Sequence, residues 1–250
     1  KGAADEDAPA FSFEDVTFAY HGGGAPARHN VTVSAARGET VGILGGTGSG
    51  KTTLISLLPR FYPASRGTVR LAGQDVNCIP AEELRLRVGV VPQKAVLFKG
   101  TIRSNLLWGR GDASDEELMQ AARIAQAEDV ISAKGGLDAE IAQEGINLSG
   151  GQRQRLTIAR ALVRRPEVLI LDDSSSALDY ATDARLRKAL SALDCTVIVV
   201  SQRTASVRHA DKIVVLDDGG VAGIGTHEEL LQRCEVYREI AASQEKEGAL

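Results

Sequence analysis

Eight consecutive residues, Gly45-Gly46-Thr47-Gly48-Ser49-Gly50-Lys51-Thr52, concentrate the chemistry of this chain. They match the phosphate-loop pattern, glycine, four variable residues, then Gly-Lys-Ser or Gly-Lys-Thr, at every fixed position. Glycines let the main chain close on phosphate oxygens, and its N–H groups together with a following helix N-terminus supply positive potential. Lys51 is expected to reach the terminal phosphates and Thr52 to ligate Mg²⁺. Thr53, next in line, joins the candidate nucleotide contacts. The metal also calls for a carboxylate at the end of a neighbouring strand. Residues 167–173, Glu-Val-Leu-Ile-Leu-Asp-Asp, supply one. Their four apolar residues suit a central parallel strand buried on both faces. Asp172 then emerges at the carboxyl end, where open α/β sheets bind ligands. A second glycine-rich motif, Leu148-Ser149-Gly150-Gly151-Gln152, opens a helix running to Val163. It implies that a second phosphate is held elsewhere. One motif of each kind per chain implies two chains sharing two nucleotides.

These residues need elements to hold them. The run Thr40 to Leu44 reads as the buried strand before the loop, and Leu54 to Leu58 as the helix after it. Phe11 to Tyr20 reads as a strand, followed by a glycine-rich loop, His21 to Ala27. Further strands are expected within Gly67 to Gly73 and Arg87 to Pro92, forming with the first an antiparallel sheet beside the core. Helices dominate from Lys94 to Gly145. Ser114-Asp115-Glu116-Glu117 is a capping box ahead of apolar Leu118, Ala121, Ala122 and Ala125. Cys195 to Val200 reads as another buried strand. Ile213 to Leu216 and Val221 to Ile224 flank Asp217-Asp218-Gly219-Gly220 as a hairpin. Thr226 to Glu229 is expected to cap a final helix. Residues 1–10 read as a linker or frayed end. There is no internal repeat or low-complexity tract.

Composition narrows the class. A chain of 250 residues buries a substantial core, and its net charge of −4 leaves no nucleic-acid footprint. The arginines at 153, 155, 160, 164 and 165 are expected to form a mostly solvated helix face. Cys78, Cys195 and Cys234 form no C-x-x-C pair and suit a reducing compartment. The four histidines show no metal spacing, so no metal is expected beyond that of the nucleotide. No apolar stretch approaches the roughly 18 residues that span a bilayer, and no signal peptide is expected.

The order of these motifs resembles the nucleotide-binding domain of the ATP-binding cassette (ABC) family, over about Phe11 to Ser243. The resemblance is closest to exporter cassettes, and Ser104 to Gly109 and Ala222 to Leu230 share it. It implies an α/β fold: a phosphate-loop (RecA-like) parallel-sheet core with an antiparallel β subdomain and an α-helical subdomain. The domain is expected over 11–245, with the helical part at about 94–155. ATP and Mg²⁺ are the implied ligands. Tyr20 falls where the family stacks an aromatic on adenine; ordinary sheet packing is its other reading. Gln93, in Val-Val-Pro-Gln, matches the glutamine linking the γ-phosphate and Mg²⁺ to the membrane domain. Ser149, Gly150, Gly151 and Gln152 match the signature that contacts the partner's ATP. Ser176 to Asp179 matches the loop that crosses to the partner's site. Trp108 is expected either to pack in the helical part or to meet a membrane-domain loop. Because the chain opens on Lys1, it is expected to be a fragment with its membrane domain upstream, this domain itself being soluble and lying at the cytoplasmic face of the cell membrane.

Two positions depart from the family. The family's catalytic glutamate is Asp173 here, shorter by about 1.5 Å, one C–C bond. The switch histidine is Gln202, whose amide donates a hydrogen bond but carries no charge. Together they imply a site that binds ATP and hydrolyses it slowly, while the intact signature serves a partner with a consensus site. The implied assembly is a heterodimeric exporter. A third departure, Gln143-Glu144-Gly145 where exporters carry Glu-Arg-Gly, keeps membrane contacts from being carried over. The alternatives are a homodimeric or soluble ABC ATPase in which Asp173 works as the base, and a GTP switch. Repair cassettes carry a long insertion between loop and signature, translation cassettes come two to a chain, and GTP switches carry Asn-Lys-x-Asp. None of these features is present.

Overall fold

A computed structural model describes residues 7–17, 30–174 and 176–248. The chain forms two compact units, one of residues 1–88 and 196–250, the other of residues 89–195. The architecture is mixed α/β with parallel and antiparallel sheets, as expected.

The first unit holds an antiparallel sheet of four strands, in the order Val31–Ala35, Phe11–Thr17, Arg66–Leu71, Gln74–Asp75. Phe11 pairs with Ala35 on one side and Leu71 on the other. Phe11 and Phe13 are buried and meet edge to face, centroids 5.7 Å apart. Val31–Ala35 adds a strand to those expected, and its alternation is clean: Val31, Val33 and Ala35 are buried, Thr32 and Ser34 exposed. That period of two is the mark of a half-buried strand. One expectation fails here. The strand Val88–Val91 does not join this sheet; it lies beside Val168–Asp172. Its residues are buried or nearly so on both faces, which suits a central position rather than a one-sided sheet.

The same unit contributes Thr40–Gly45, flanked by Thr196–Ser201 and Lys212–Asp217, both parallel to it. All three are rich in buried Val and Ile. Lys212–Asp217 turns back antiparallel into Gly220–Gly225. The turn places Asp218 at φ 41° and Gly219 at φ 73°, the pair of left-handed residues that a tight two-residue hairpin requires. Thr226 and Glu229 form the expected capping box on the helix His227–Arg233. That helix is not the last. Cys234 takes an extended conformation, φ −114° and ψ 110°, and a further helix, Glu235–Gly248, follows. Tyr237 anchors it, fully buried in a cluster with Leu44, Val207, Ile213, Val215 and Leu230.

The second unit carries the helices Ile102–Leu107, Asp115–Ile124, Glu128–Lys134, Gly150–Leu162 and Tyr180–Leu190. A short ribbon, Gly100–Thr101 against Glu140–Ile141, had no signal long enough to read. The box at Ser114 and Glu117 forms, and Leu118, Ala121, Ala122 and Ala125 are buried behind it. The arginine run is not a solvated face. Arg153 donates to the carbonyls of Gly145 and Leu148, Arg164 to that of Gly109, and Arg155 to Gln126 O and Asp129. A guanidinium has five donors in a fixed fork, so a helix can use it to tie down neighbouring loops. Trp108 stacks on Phe98, centroids 4.6 Å apart, yet stays 63% exposed.

Glu117 makes the acid response of this unit readable. Arg110 donates to its Oε1 at 2.5 Å, the Ser114 N–H to Oε2 at 2.9 Å, and Arg165 lies 3.1 Å from Oε1. The Arg110 bond, then the Ser114 bond, pulls the carboxyl from its ordinary 4.5 to about 2. A depressed carboxyl stabilises the fold fully above its unfolded pKa, and that contribution fades as pH falls through the folded one. Glu117→Gln is therefore expected to flatten the fall in thermal midpoint between pH 4.5 and 2. Thermal unfolding at stepped pH checks this, and identical slopes in both proteins would count against it.

Candidate functional site

The first unit presents the phosphate loop. It leaves the buried strand Thr40–Gly45 and enters the helix Lys51–Leu57. Gly45 admits no side chain: a Cβ there would lie 2.4 Å from the Leu216 carbonyl oxygen and 2.5 Å from Ser49 Oγ. Gly50, the helix N-cap, sits at φ 91°, a left-handed conformation that glycine adopts without steric cost. Around Gly46 and Gly48 the opposite holds, since a Cβ on either would meet nothing within 4 Å. The loop is thus packed at its root and open at its crown, the shape of a cradle for a group that must touch main chain. Lys51 is only 9% exposed. Its ammonium donates to Gly45 O at 2.7 Å, Gly46 O at 2.6 Å and Ser49 Oγ at 3.4 Å. Thr52 and Thr53 lie in the first turn of the helix.

Gln202 belongs to the same unit, directly after the strand Thr196–Ser201. Because that strand is the parallel neighbour of Thr40–Gly45, Gln202 arrives beside the loop. The Thr47 hydroxyl donates to Gln202 Oε1 at 3.3 Å. Nothing in the sequence pairs Gln202 with Thr47, or with Gln244, 42 positions further on, whose Nε2 donates to the Gln202 carbonyl at 2.7 Å. No local spacing could have disclosed that contact.

The second unit presents the carboxylates. Asp172 ends the strand Val168–Asp172, and Asp173 follows at φ 45°. Aspartate is among the few non-glycine residues that visit the left-handed region readily. Gln93, two residues past the strand Val88–Val91, donates from Nε2 to Asp173 Oδ2 at 3.2 Å. Three sequence candidates, Gln93, Asp172 and Asp173, are therefore brought together. Thr52, Gln93 and Asp172 offer a hydroxyl, an amide and a carboxylate oxygen. These are hard donors, the type that Mg²⁺ selects, so each of the three, taken in its own unit, has the chemistry that a magnesium nucleotide asks for.

The signature residues stand at the start of the helix Gly150–Leu162, also in the second unit. Ser149 Oγ accepts from Gln152 N at 3.2 Å, and Gln152 Oε1 accepts from Ser149 N at 2.9 Å. This is a reciprocal capping box. No acidic residue lies in the first turn, so the positive end of the helix dipole is left uncompensated by its own side chains. Arg153 fixes the approach to this helix through Gly145 and Leu148. Asp179 caps the next long helix, accepting from Thr182 N at 2.9 Å and Thr182 Oγ1 at 2.7 Å. The Thr182 amide, then its hydroxyl, hold the Asp179 carboxyl below its ordinary range. Tyr20 lies outside the described residues. Among the described residues no His, Cys, Asp and Glu cluster suits a bound metal, and no helix is long and apolar enough to cross a membrane.

Comparison with known proteins agrees with this geometry. The family model described as ABC transporter matches residues 28–176. YfiB of Bacillus subtilis, named an uncharacterized ABC transporter ATP-binding protein, is 46% identical over 233 residues, covering 93% of this chain and 41% of its own length. A Staphylococcus aureus protein named "Putative multidrug export ATP-binding/permease protein" is 39% identical, covering 92% of this chain and 40% of its own length. The chain thus spans about two-fifths of the length of these curated relatives. Among solved structures, a bacterial Atm1-family ABC exporter with ATP bound superimposes with a TM-score of 0.89 at 36% identity, over 95% of this chain and 42% of that one.

Proposed function

The chain belongs to the ABC transporter family, and from that premise we propose that it is the Mg·ATP-binding motor domain of an exporter, with a weakened hydrolytic site of its own. The observation that carries the reading is the phosphate loop, with its buried root, its open crown and Lys51 held over its carbonyls. The loop amides and Lys51 bind the phosphates. Thr52, Gln93 and Asp172 are the residues that would hold Mg²⁺, which would neutralise phosphate charge when bound. Asp173 is the residue left to orient the attacking water, and Gln93 steadies its carboxylate. Gln202, which accepts a hydrogen bond from Thr47 on the loop, is assigned to the γ-phosphate. The short Asp173 and the uncharged Gln202 make this chain's own turnover slow.

The signature end is built differently. Ser149, Gly150, Gly151 and Gln152 sit at a well-formed helix N-terminus, ready to receive a phosphate. We assign them to the nucleotide of a second cassette in a head-to-tail sandwich, with Asp179 on the loop that crosses between sites. That second cassette carries the consensus glutamate and histidine, which makes the assembly a heterodimer. The membrane domain lies on the same polypeptide, as the ATP-binding/permease name of the staphylococcal relative suggests. The domain works at the cytoplasmic face of the cell membrane and spans 11–245, with its helical part at about 94–155.

Shared sites predict ligand-dependent association, because a ligand bound between two chains stabilises their complex by mass action. Sedimentation of this chain with a consensus exporter cassette is expected to show a dimer with Mg·ATP and monomers without it. The chain alone is expected to stay monomeric without nucleotide. A tight nucleotide-free homodimer would refute the sandwich.

A further inference from the structure

We propose that Gln244, on the C-terminal helix Glu235–Gly248, is a positioning residue that clamps the segment presenting Gln202 to the phosphate loop; this rests on the nucleotide-site reading above. Three hydrogen bonds carry the proposal. Gln244 Oε1 accepts from Thr204 N at 2.9 Å and from Thr204 Oγ1 at 3.0 Å. Gln244 Nε2 donates to the Gln202 carbonyl at 2.7 Å. The orientation of the amide follows from its partners, because an N–H needs an acceptor and a carbonyl needs a donor.

The helix is placed to make this grip firm. Tyr237, Ile240 and Gln244 fall at i, i+3 and i+7, one face of a helix. Tyr237 and Ile240 pack into the cluster containing Leu44 and Val207. Leu44 belongs to the strand that feeds the phosphate loop, and Val207 ends the short helix Thr204–Val207 that follows Gln202. Gln244 thus reaches the 202–204 segment from a helix fixed to the same core as the loop. The clamp ends at the nucleotide side, where Gln202 Oε1 accepts from Thr47. Arg203 N, donating to Ser201 Oγ at 3.0 Å, braces the segment from the strand side.

Glutamine is the side chain this position needs. The site asks for one acceptor and one donor at the end of a three-carbon stem. Glutamate keeps the acceptor for Thr204 and loses the donor to Gln202, while asparagine falls short by about one C–C bond, ~1.5 Å. The two halves of the clamp can therefore be separated by substitution.

The test uses the full chain, with Gln244→Ala, Gln244→Glu and Lys51→Ala. Amide exchange at Thr204 is expected to rise about tenfold in Gln244→Ala and to stay at the wild-type rate in Gln244→Glu. The Gln202 side-chain amide resonances are expected to shift in both. Single-turnover hydrolysis of Mg·ATP is expected to fall about tenfold in both, with the ATP dissociation constant within twofold of wild type. Unchanged exchange at Thr204 in Gln244→Ala overturns the clamp. So does raised exchange at Tyr237 and Val207 in both variants, which would assign Gln244 to helix docking alone. If Lys51→Ala binds ATP as wild type does, the nucleotide-site reading is what fails, and the clamp is then judged by exchange and the Gln202 resonances.

Discussion

Lys51→Ala is expected to weaken Mg·ATP binding by on the order of 10²-fold or more. The Lys51 ammonium is buried against the loop and already donates to two main-chain carbonyls at 2.6–2.7 Å. An ammonium has three donors and no acceptor, so phosphate oxygens can replace carbonyls without the charge leaving the cradle. A hydrogen bond to a charged group is worth roughly 1.5–3 kcal/mol. Two of them lost at the phosphates amount to about 3–6 kcal/mol, where 1.4 kcal/mol is a factor of ten. The substitution has a second cost. It leaves the Gly45 and Gly46 carbonyl oxygens without this donor, close to where anionic oxygens bind. Titration with a fluorescent ATP analogue measures the effect, and an affinity within twofold of wild type would remove Lys51 from the site.

Asp173→Glu is expected to speed hydrolysis at this chain's site by on the order of 10²-fold, and Gln202→His on top of it by about a further tenfold. The first figure follows from reach. The Asp173 carboxylate stops roughly one C–C bond, ~1.5 Å, short of a glutamate's, and a misplacement of about 1 Å costs on the order of 10²-fold. Gln93 lies within hydrogen-bonding distance of Asp173, so a longer carboxylate has a neighbour to steady it. The backbone opposes the change by about 1–2 kcal/mol, since at φ 45° aspartate is tolerated better than glutamate. The second figure follows from charge. An imidazolium placed where the Gln202 amide now meets Thr47 stabilises developing phosphate charge more strongly than a neutral donor. Steady-state ATPase assays of the paired transporter give the comparison. Were Asp173→Ala to abolish activity as fully as removal of the partner's predicted glutamate, Asp173 would be a working base and the weakened-site reading would fall.

Most of the site was legible because its chemistry is local. The phosphate loop, the strand ending in Asp172 and the signature helix each declare themselves within a dozen residues, by glycine spacing, apolar runs and a cap. The hairpin at Asp218 and Gly219 was legible for the same reason. Elements defined by distant partners were not. Val88–Val91 is a short apolar strand whose choice of sheet depends on neighbours far away in sequence, and it was assigned to the wrong one. The arginines of the signature helix look like a charged surface until the carbonyls they hold are in place. Gln244 is one amide in a polar helix end; only folding brings it to Gln202. Val31–Ala35 is the exception, a strand whose alternation is plain in its own five residues.

The capping box at Ser149 and Gln152 gives one pair of side chains two employers. Within its own chain the box closes the end of a thirteen-residue helix, and loss of such a cap costs about 0.5–2 kcal/mol. Across the proposed interface the same helix end greets a nucleotide belonging to another polypeptide. On the proposed reading, drift at Asp173 and Gln202 falls mainly on this chain's turnover, whereas drift at Ser149 would also loosen this chain's own helix. Mutational tolerance is therefore uneven by construction. The part of the cassette that serves a neighbour is insured by its host's stability, and the part that serves the host's own reaction is not. In the proposed pairing, one engine can be lost while the coupling that fires the other is kept.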